Sequence, residues 1–289
     1  MAAQGVQLLA KALFGGVLVV AFAALAETLS PKRFAGVFAA APSVALAGLS
    51  VTVLAKGPVQ ARLHCTGMVA GAVAFLAYAL LSPAVMRRFG ARRGAAAGLA
   101  AWLVVSAVVL PVSAAATAAP LAAGAGARTP DSGRDRRCPR LRCEPGKLRQ
   151  ARPREWGIRF GFGAGTSLLA ALVGLAFGPV IGGTLLAFPA ILLASLTLVA
   201  EKEGGARSRD DARGAAAGGL GLVAFAAVGA TWFHRGTITA AFALATASWL
   251  VVALAAYGLA WLTGFGADEP VAGDGSGGEA RTEGGRLST

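Results

Sequence analysis

The sequence predicts an all-α integral membrane protein with about eight transmembrane helices arranged as two four-helix repeats. Three observations carry that expectation. Hydrophobic residues make up 56% of the 289 positions and charged residues only 14%, with a mean hydropathy of +0.64, a balance that soluble domains of this length do not show. The charge falls in short runs separated by segments of about 20 apolar residues, the length needed to cross roughly 30 Å of hydrocarbon at 1.5 Å per residue. The chain also matches itself without a gap at an offset of 147 residues.

The self-match is clearest between Phe34–Gly57 and Ile181–Gly204. It superposes Gly36 on Gly183, Ala40 on Ala187, Pro42 on Pro189, Leu46 on Leu193 and Leu49 on Leu196. Continued in the same register, it lays Gly67 on Gly214, Gly71 on Gly218, and the WLVV at Trp102–Val105 on the WLVV at Trp249–Val252. An ungapped register held over about 70 residues reads as an internal duplication. The first helix joins with a one-residue adjustment, Lys11 on Arg159, Phe14 on Phe162 and Gly15 on Gly163.

In chain order, the first span runs from about Gln7 to Ala26. Its basic start, apolar core and Ala24-Leu25-Ala26 resemble a signal peptide, but its counterpart Ile158–Gly178 lies deep in the chain, so we expect a retained helix. Pro31 marks a polar turn before the second span, Phe34 to about Ala55, which Lys56-Gly57-Pro58 should stop. A third span, about Leu63–Leu81, ends at Ser82-Pro83, and Arg87, Arg88, Arg92 and Arg93 form a basic loop before the fourth, about Ala95–Ala118. The second repeat places spans near Ile158–Phe177, Val180–Ala200, Gly214–Trp232 and Thr237–Thr263. Helices are required because unpaired backbone groups in lipid cost several kcal/mol each. The expected domains are residues 1–118, a linker at 119–157, residues 158–263, and an acidic Gly-rich tail at 264–289.

The linker loses all apolar periodicity and holds ten cationic against four acidic residues, a net +6. It reads as a flexible basic segment that touches anionic lipid headgroups. The net charge of +13 sits beside membrane spans, where headgroups and the positive-inside rule account for it without nucleic acid. With four spans per repeat both copies should enter the membrane in the same direction, yet their flanking charges disagree, and a missed or surplus span would make them an inverted repeat. Taken over the whole chain, the majority puts the N-terminus, linker and C-terminus in the cytoplasm.

Pro42 and Pro189 recur at one depth in the second and sixth helices. A proline there bends the axis and should free the carbonyls of Phe38 and Leu185 for a ligand, or simply kink the helix for packing. Ser43 follows the first proline, but Ala190 follows the second. Lys11, Arg159 and Glu27 are the ionisable residues nearest the membrane. They are either path residues or side chains that snorkel to the interface. His64 and His234 do not coincide under the repeat, lack metal-ligand spacing and read as surface residues. Cys138 and Cys143 lack a second ligand pair, so no metal site is expected. The sequence shows no nucleophile constellation, phosphate loop or paired buried carboxylates, so neither an enzyme nor a cofactor is expected. Gly67–Gly71 and Gly214–Gly218 share a spacing that lets helices approach closely, and Trp102 and Trp249 read as interface anchors or packing residues.

Ala35–Leu49, AGVFAAAPSVALAGL, and the Ala-Trp-Leu at Ala101–Leu103 resemble the GlpM-like family of small four-helix bacterial inner-membrane proteins of undetermined biochemical function. The resemblance spans about residues 7–118 and, more loosely, 158–263. It implies a multi-pass protein of the bacterial inner membrane, surrounded by lipid and compatible with a homo-oligomer. Two functional readings follow. One is a transporter-like or permease-like protein for a small solute; the other is a non-transporting component of envelope assembly that acts through lipid or protein contacts.

Overall fold

In the computed structural model, which describes residues 2–30, 32–116, 142–143, 153–188 and 205–262, the chain is an all-α membrane protein. Helix α1 spans Ala2–Thr28 and runs into the two-residue strand β1, Leu29–Ser30. Then come α2 (Lys32–Ala39), α3 (Ser43–Lys56) and α4 (Pro58–Ala116). Strand β2, Arg142–Cys143, pairs antiparallel with β1, so this part of the linker is ordered against the end of α1. The second half comprises α5 (Pro153–Phe177), α6 (Pro179–Leu186), α7 (Gly205–Trp232) and α8 (Ile238–Leu262). The remainder of the linker, the tail and the second part of the sixth span, Pro189 included, lie outside the described residues.

Among the described residues, six helical segments are long and apolar enough to cross a membrane: Gln4–Thr28, Phe34–Lys56, Pro58–Leu81, Pro153–Phe177, Gly214–Trp232 and Ile238–Leu262. A shorter apolar segment, Ala96–Val112, completes the first half. Threonine hydroxyls along these helices donate to carbonyls of their own helix, as from Thr52 to Gly48 at 2.7 Å and from Thr166 to Phe162 at 2.7 Å. Each such bond satisfies a hydroxyl within its own helix.

Helix α4 does not stop at Ser82-Pro83, the end expected from sequence, but it cannot be straight. Thirty-one residues of straight helix would set Trp102 about 46 Å from Gly71, yet the Trp102 indole N–H donates to the Gly71 carbonyl at 3.1 Å. A β-carbon on Gly98 would likewise meet the Tyr78 ring. The chain therefore doubles back between Leu81 and Ala96, and the expected third and fourth spans are two antiparallel arms of one helical hairpin. Ser82-Pro83, Gly90 and Gly94 lie in that bend.

The centre of the bundle is built from the second, third and seventh spans, each buried over about two-thirds of its apolar window (65%, 67% and 61%), whereas α1, α5 and α8 are mostly uncovered (22%, 28% and 22%). The core is alanine-rich, with Val37, Leu49, Met68, Tyr78, Trp102, Phe225 and Phe233 as its large members. The outer helices present Leu9, Leu13, Val17, Phe162, Leu172, Val251 and Leu259, an apolar belt suited to acyl chains. Trp102 and Trp249 are both buried packing residues rather than interface anchors. Trp102 meets Phe188 edge-on, and Trp249 meets Phe22 and Phe38.

The two halves are antiparallel, which corrects the expectation that they enter the membrane the same way. Along α1 and α5, Glu27 meets Arg159, Val19 meets Gly163, Gly15 meets Ser167, and Lys11 shares a cleft with Leu175. Residue numbers rise on one helix as they fall on the other. Helices α4 and α7 do the same, with Phe75 at Gly219 and Cys65 at Gly229. The contacts also exchange: Gly15–Ser167 becomes Val19–Gly163 under the 148-residue offset. Such self-complementary pairing of antiparallel helices is the signature of a two-fold axis perpendicular to them.

One end of the bundle, the Lys11 end, therefore collects the start of α1, the α3–α4 and α5–α6 junctions, and the α7–α8 turn. The opposite, Glu27 end collects the start of α2, the α4 bend, β1 with β2, the starts of α5 and α7, and the end of α8, where Tyr257 packs on Phe34. The N-terminus and the end of α8 lie at opposite ends, so both cannot be cytoplasmic as the summed charge led us to expect. The return arm of α4 runs back from the bend past Gly71, whereas β2 stands at the Glu27 end.

Two expectations test this arrangement. In a cysteine-free background, a single cysteine at Gly236 and one at Gly157 should react with a membrane-impermeant thiol reagent from opposite faces; reaction of both from one face would rule out antiparallel halves. Gly71→Ala and Gly218→Ala should each lower thermal stability in detergent by about 1–3 kcal/mol through overpacking, because each added carbon overlaps a backbone carbonyl. Gly161→Ala, which meets nothing within 4 Å, should leave the melting temperature unchanged.

Candidate functional site

The second span is not kinked at Pro42 but broken there. Helix α2 ends at Ala39 and α3 begins at Ser43. Pro42 lacks the N–H that would donate to Phe38, and the chain closes the gap with tighter bonds. The Ala40 and Ala41 N–H groups donate to Val37 and Phe38 at 3.3 and 3.1 Å. The second half does the same: α6 ends at Leu186, and the Ala187 and Phe188 N–H groups donate to Thr184 and Leu185 at 3.3 and 3.1 Å. Every member of one set maps on the other at 147. The carbonyls of Phe38 and Leu185, expected to be free, are thus both hydrogen-bonded.

Each break is pressed against the opposite half. A β-carbon on Gly71 would overlap the Thr184 carbonyl and come within 3.1 Å of Ala187 Cβ; one on Gly218 would overlap the Val37 carbonyl and come within 2.7 Å of Ala40 Cβ. These are one contact written twice, and only glycine lets the backbones approach so closely. Ser43 is 1% exposed and packed among Ala40, Ala41 and Val44, which are also buried.

The ionisable candidates separate to the two ends. At one end Arg159 Nη2 donates to Glu27 Oε1, and the guanidinium lies 5.6 Å from the centroid of the Trp156 ring. Arg159 and Glu27 side chains are 8% and 22% exposed. Neither snorkels alone; each neutralises the other, and the arginine plane adds a cation–π contact.

Lys11 is the counterpart of Arg159 under the offset, but the counterpart of Glu27 is Leu175, so the partner acid is missing. Lys11 instead borders a cleft of about 40 Å³ with Lys56, Gln4, Gln7, Gln60 and His64, walled by Leu175 and Pro179. That volume accommodates about three water molecules. No carboxylate lines it. His64, read from sequence as a surface residue, is only 7% exposed, and its Nδ1 is buried without a hydrogen-bond partner. Its position in the first turns of α4 is what buries it: α6 crosses there, and a β-carbon on Gly183 would overlap the His64 carbonyl. His234, by contrast, is exposed in the α7–α8 turn. Its pKa is lowered by desolvation and then by the Arg62 and Arg235 charges.

Lys56, Gln60 and His64 were not singled out together in the sequence, although a signal exists. Gly57-Pro58 and Gly178-Pro179 are two Gly-Pro junctions, with φ of +83° and +96° at the glycines, and both open a helix beside this cleft. Among the described residues no three His, Cys, Asp or Glu side chains come together as a metal site would require.

The Glu27–Arg159 pair should be a stability element. Arg159→Met and Glu27→Gln should each cost about 2 kcal/mol, less than a fully buried pair because Glu27 is partly wet. The double variant should recover part of that loss in a thermal double-mutant cycle; additive losses would show that the two residues act independently.

No curated protein sequence and no solved structure matches the chain. A family model does, and it matches twice, at residues 8–115 and again at 157–261, the two halves that the contacts relate. The chain therefore belongs to the family described as "Protein of unknown function (DUF3147)".

Proposed function

We propose that the chain is a permease-like protein of the bacterial inner membrane, made of two copies of one four-helix module set antiparallel, that moves a small solute past the broken second helix and the equivalent end of α6. The observation that carries this is the break before Pro42 and the matching end of α6 before Pro189, each seated on a glycine of the opposite half. Inverted halves that hold discontinuous helices near the midplane are a recurrent way to build alternating access, because one half can rock against the other around a fixed centre. The sparse polarity of the spans, mostly single hydroxyls, and the absence of a catalytic constellation in the sequence fit transport better than chemistry.

Antiparallel halves also reconcile the charge. Lys32, Arg33, Arg87, Arg88, Arg92 and Arg93 of the first half and Arg154, Arg159, Arg207, Arg209 and Arg213 of the second fall at the Glu27 end. Among the described residues, Lys11, Lys56, Arg62 and Arg235 fall at the other. The positive-inside rule then puts the Glu27 end in the cytoplasm.

Ser43→Cys is nearly isosteric and sits at the first break. With Cys65, Cys138 and Cys143 replaced, it should react slowly with an impermeant maleimide from both membrane faces as the halves rock. The packing around Ser43 favours the second reading, a non-transporting envelope component, and reaction from neither face would establish that reading instead.

A further inference from the structure

We propose that the cleft at the Lys11 end is an oxyanion site, taking a carboxylate, phosphate or sulfate group, so that the solute this protein handles is anionic. The inference deepens the permease reading and rests on it only for transport, not for binding.

Four observations converge. First, Lys11 and Lys56 bring two ammonium groups to one small cleft, and neither has an acidic partner among the described residues. The offset explains why: the equivalent cation at the other end, Arg159, has Glu27, whereas Lys11 has Leu175 in that place. An anion must supply the missing charge, and a cation would be repelled. Second, two helices start at the cleft wall, α4 at Pro58 and α6 at Pro179. Gly178, the N-cap of α6, offers no side chain to its N-terminal N–H groups. Their positive ends face an anion site. Third, Gln4, Gln7 and Gln60 add amide groups, each with two N–H donors and a carbonyl that can take the proton of a protonated oxyanion. Fourth, His64 is more than nine-tenths buried on the cleft wall with Nδ1 unpartnered; its ring also donates to the Pro179 backbone, which leaves Nδ1 to accept the proton of a protonated oxyanion or of a bridging water. About 40 Å³ suits a single oxyanion group and excludes a larger rigid anion from full entry.

The test uses the full chain in nanodiscs of neutral lipid, with thermal unfolding followed against sodium phosphate and sodium sulfate at constant ionic strength set with chloride. Saturable stabilisation by phosphate or sulfate is expected. Lys11→Gln should raise the half-saturating concentration at least tenfold, Lys56→Gln should raise it less, and Arg154→Gln at the opposite end should not change it. If Lys11→Gln does not fold, Gln7→Leu serves as the second variant and should weaken binding several-fold. If stabilisation instead requires anionic lipid in the disc and is lost in Lys11→Gln, the group held is a lipid headgroup, the same chemistry from the bilayer. No saturable effect of phosphate, sulfate or anionic lipid, or equal effects on wild type and Lys11→Gln, would overturn the site. Uptake of labelled phosphate and sulfate into proteoliposomes separates the two ideas. Binding without uptake keeps the oxyanion site and counts against the permease reading, whereas binding with uptake that Lys11→Gln abolishes supports both.

Discussion

The fold depends on the contact of a glycine in one half with the backbone at a helix end in the other. Gly71 on Thr184 and Gly218 on Val37 bring main chains together with no side chain between them. In lipid there is no hydrophobic drive to bury apolar side chains against each other, so helix association rests on close packing and polar contacts. The rest of the centre follows. Trp102 caps Gly71 with its indole N–H, Thr184 donates to the Gly67 carbonyl at 3.2 Å, and alanines fill the space where larger side chains would hold the halves apart.

Much of this was legible in the chain. Spans, the register of the self-match and the special place of Pro42 all came from apolar length and self-similarity, because those depend on local composition. Pro42 also shows where local reasoning stops. Proline chemistry alone says that a bond is lost at Phe38; whether the helix bends or breaks depends on whether a neighbour can fill the outer side, and Gly218 does so. Relative direction was hidden for a similar reason. Flanking charges were summed as if the halves were parallel, and the conflict between Arg87–Arg93 in one half and Arg207–Arg213 in the other was itself the trace of an antiparallel arrangement. His64 was misplaced because it lies near a span end by count, and only the crossing of α6 buries it.

Near-symmetry makes the departures informative. Trp102 has a hydrogen bond to Gly71, whereas the Trp249 indole N–H is buried without one. Arg159 has an acid and Lys11 has none. Tyr78 faces Gly98 where the other half has Phe225 and Ala245. The scaffold contacts on the α1–α5 axis and at the breaks are duplicated, while the polar groups at the two ends are not. A shared frame thus carries a neutralised pair, Glu27 with Arg159, at one end and Lys11 without an acid at the other.

That division has a consequence for the shape of the polypeptide itself. A chain with a single such module could reproduce these contacts only by meeting a copy inserted upside down, which would require the population to divide evenly between two orientations in the membrane. It would also make both ends of the pair chemically identical. Joining the modules end to end removes both conditions: every molecule carries one of each orientation, and a substitution such as Glu27 in one module or Leu175 in the other marks a single face. Directionality, which a perfectly two-fold pair cannot have, becomes available by point mutation.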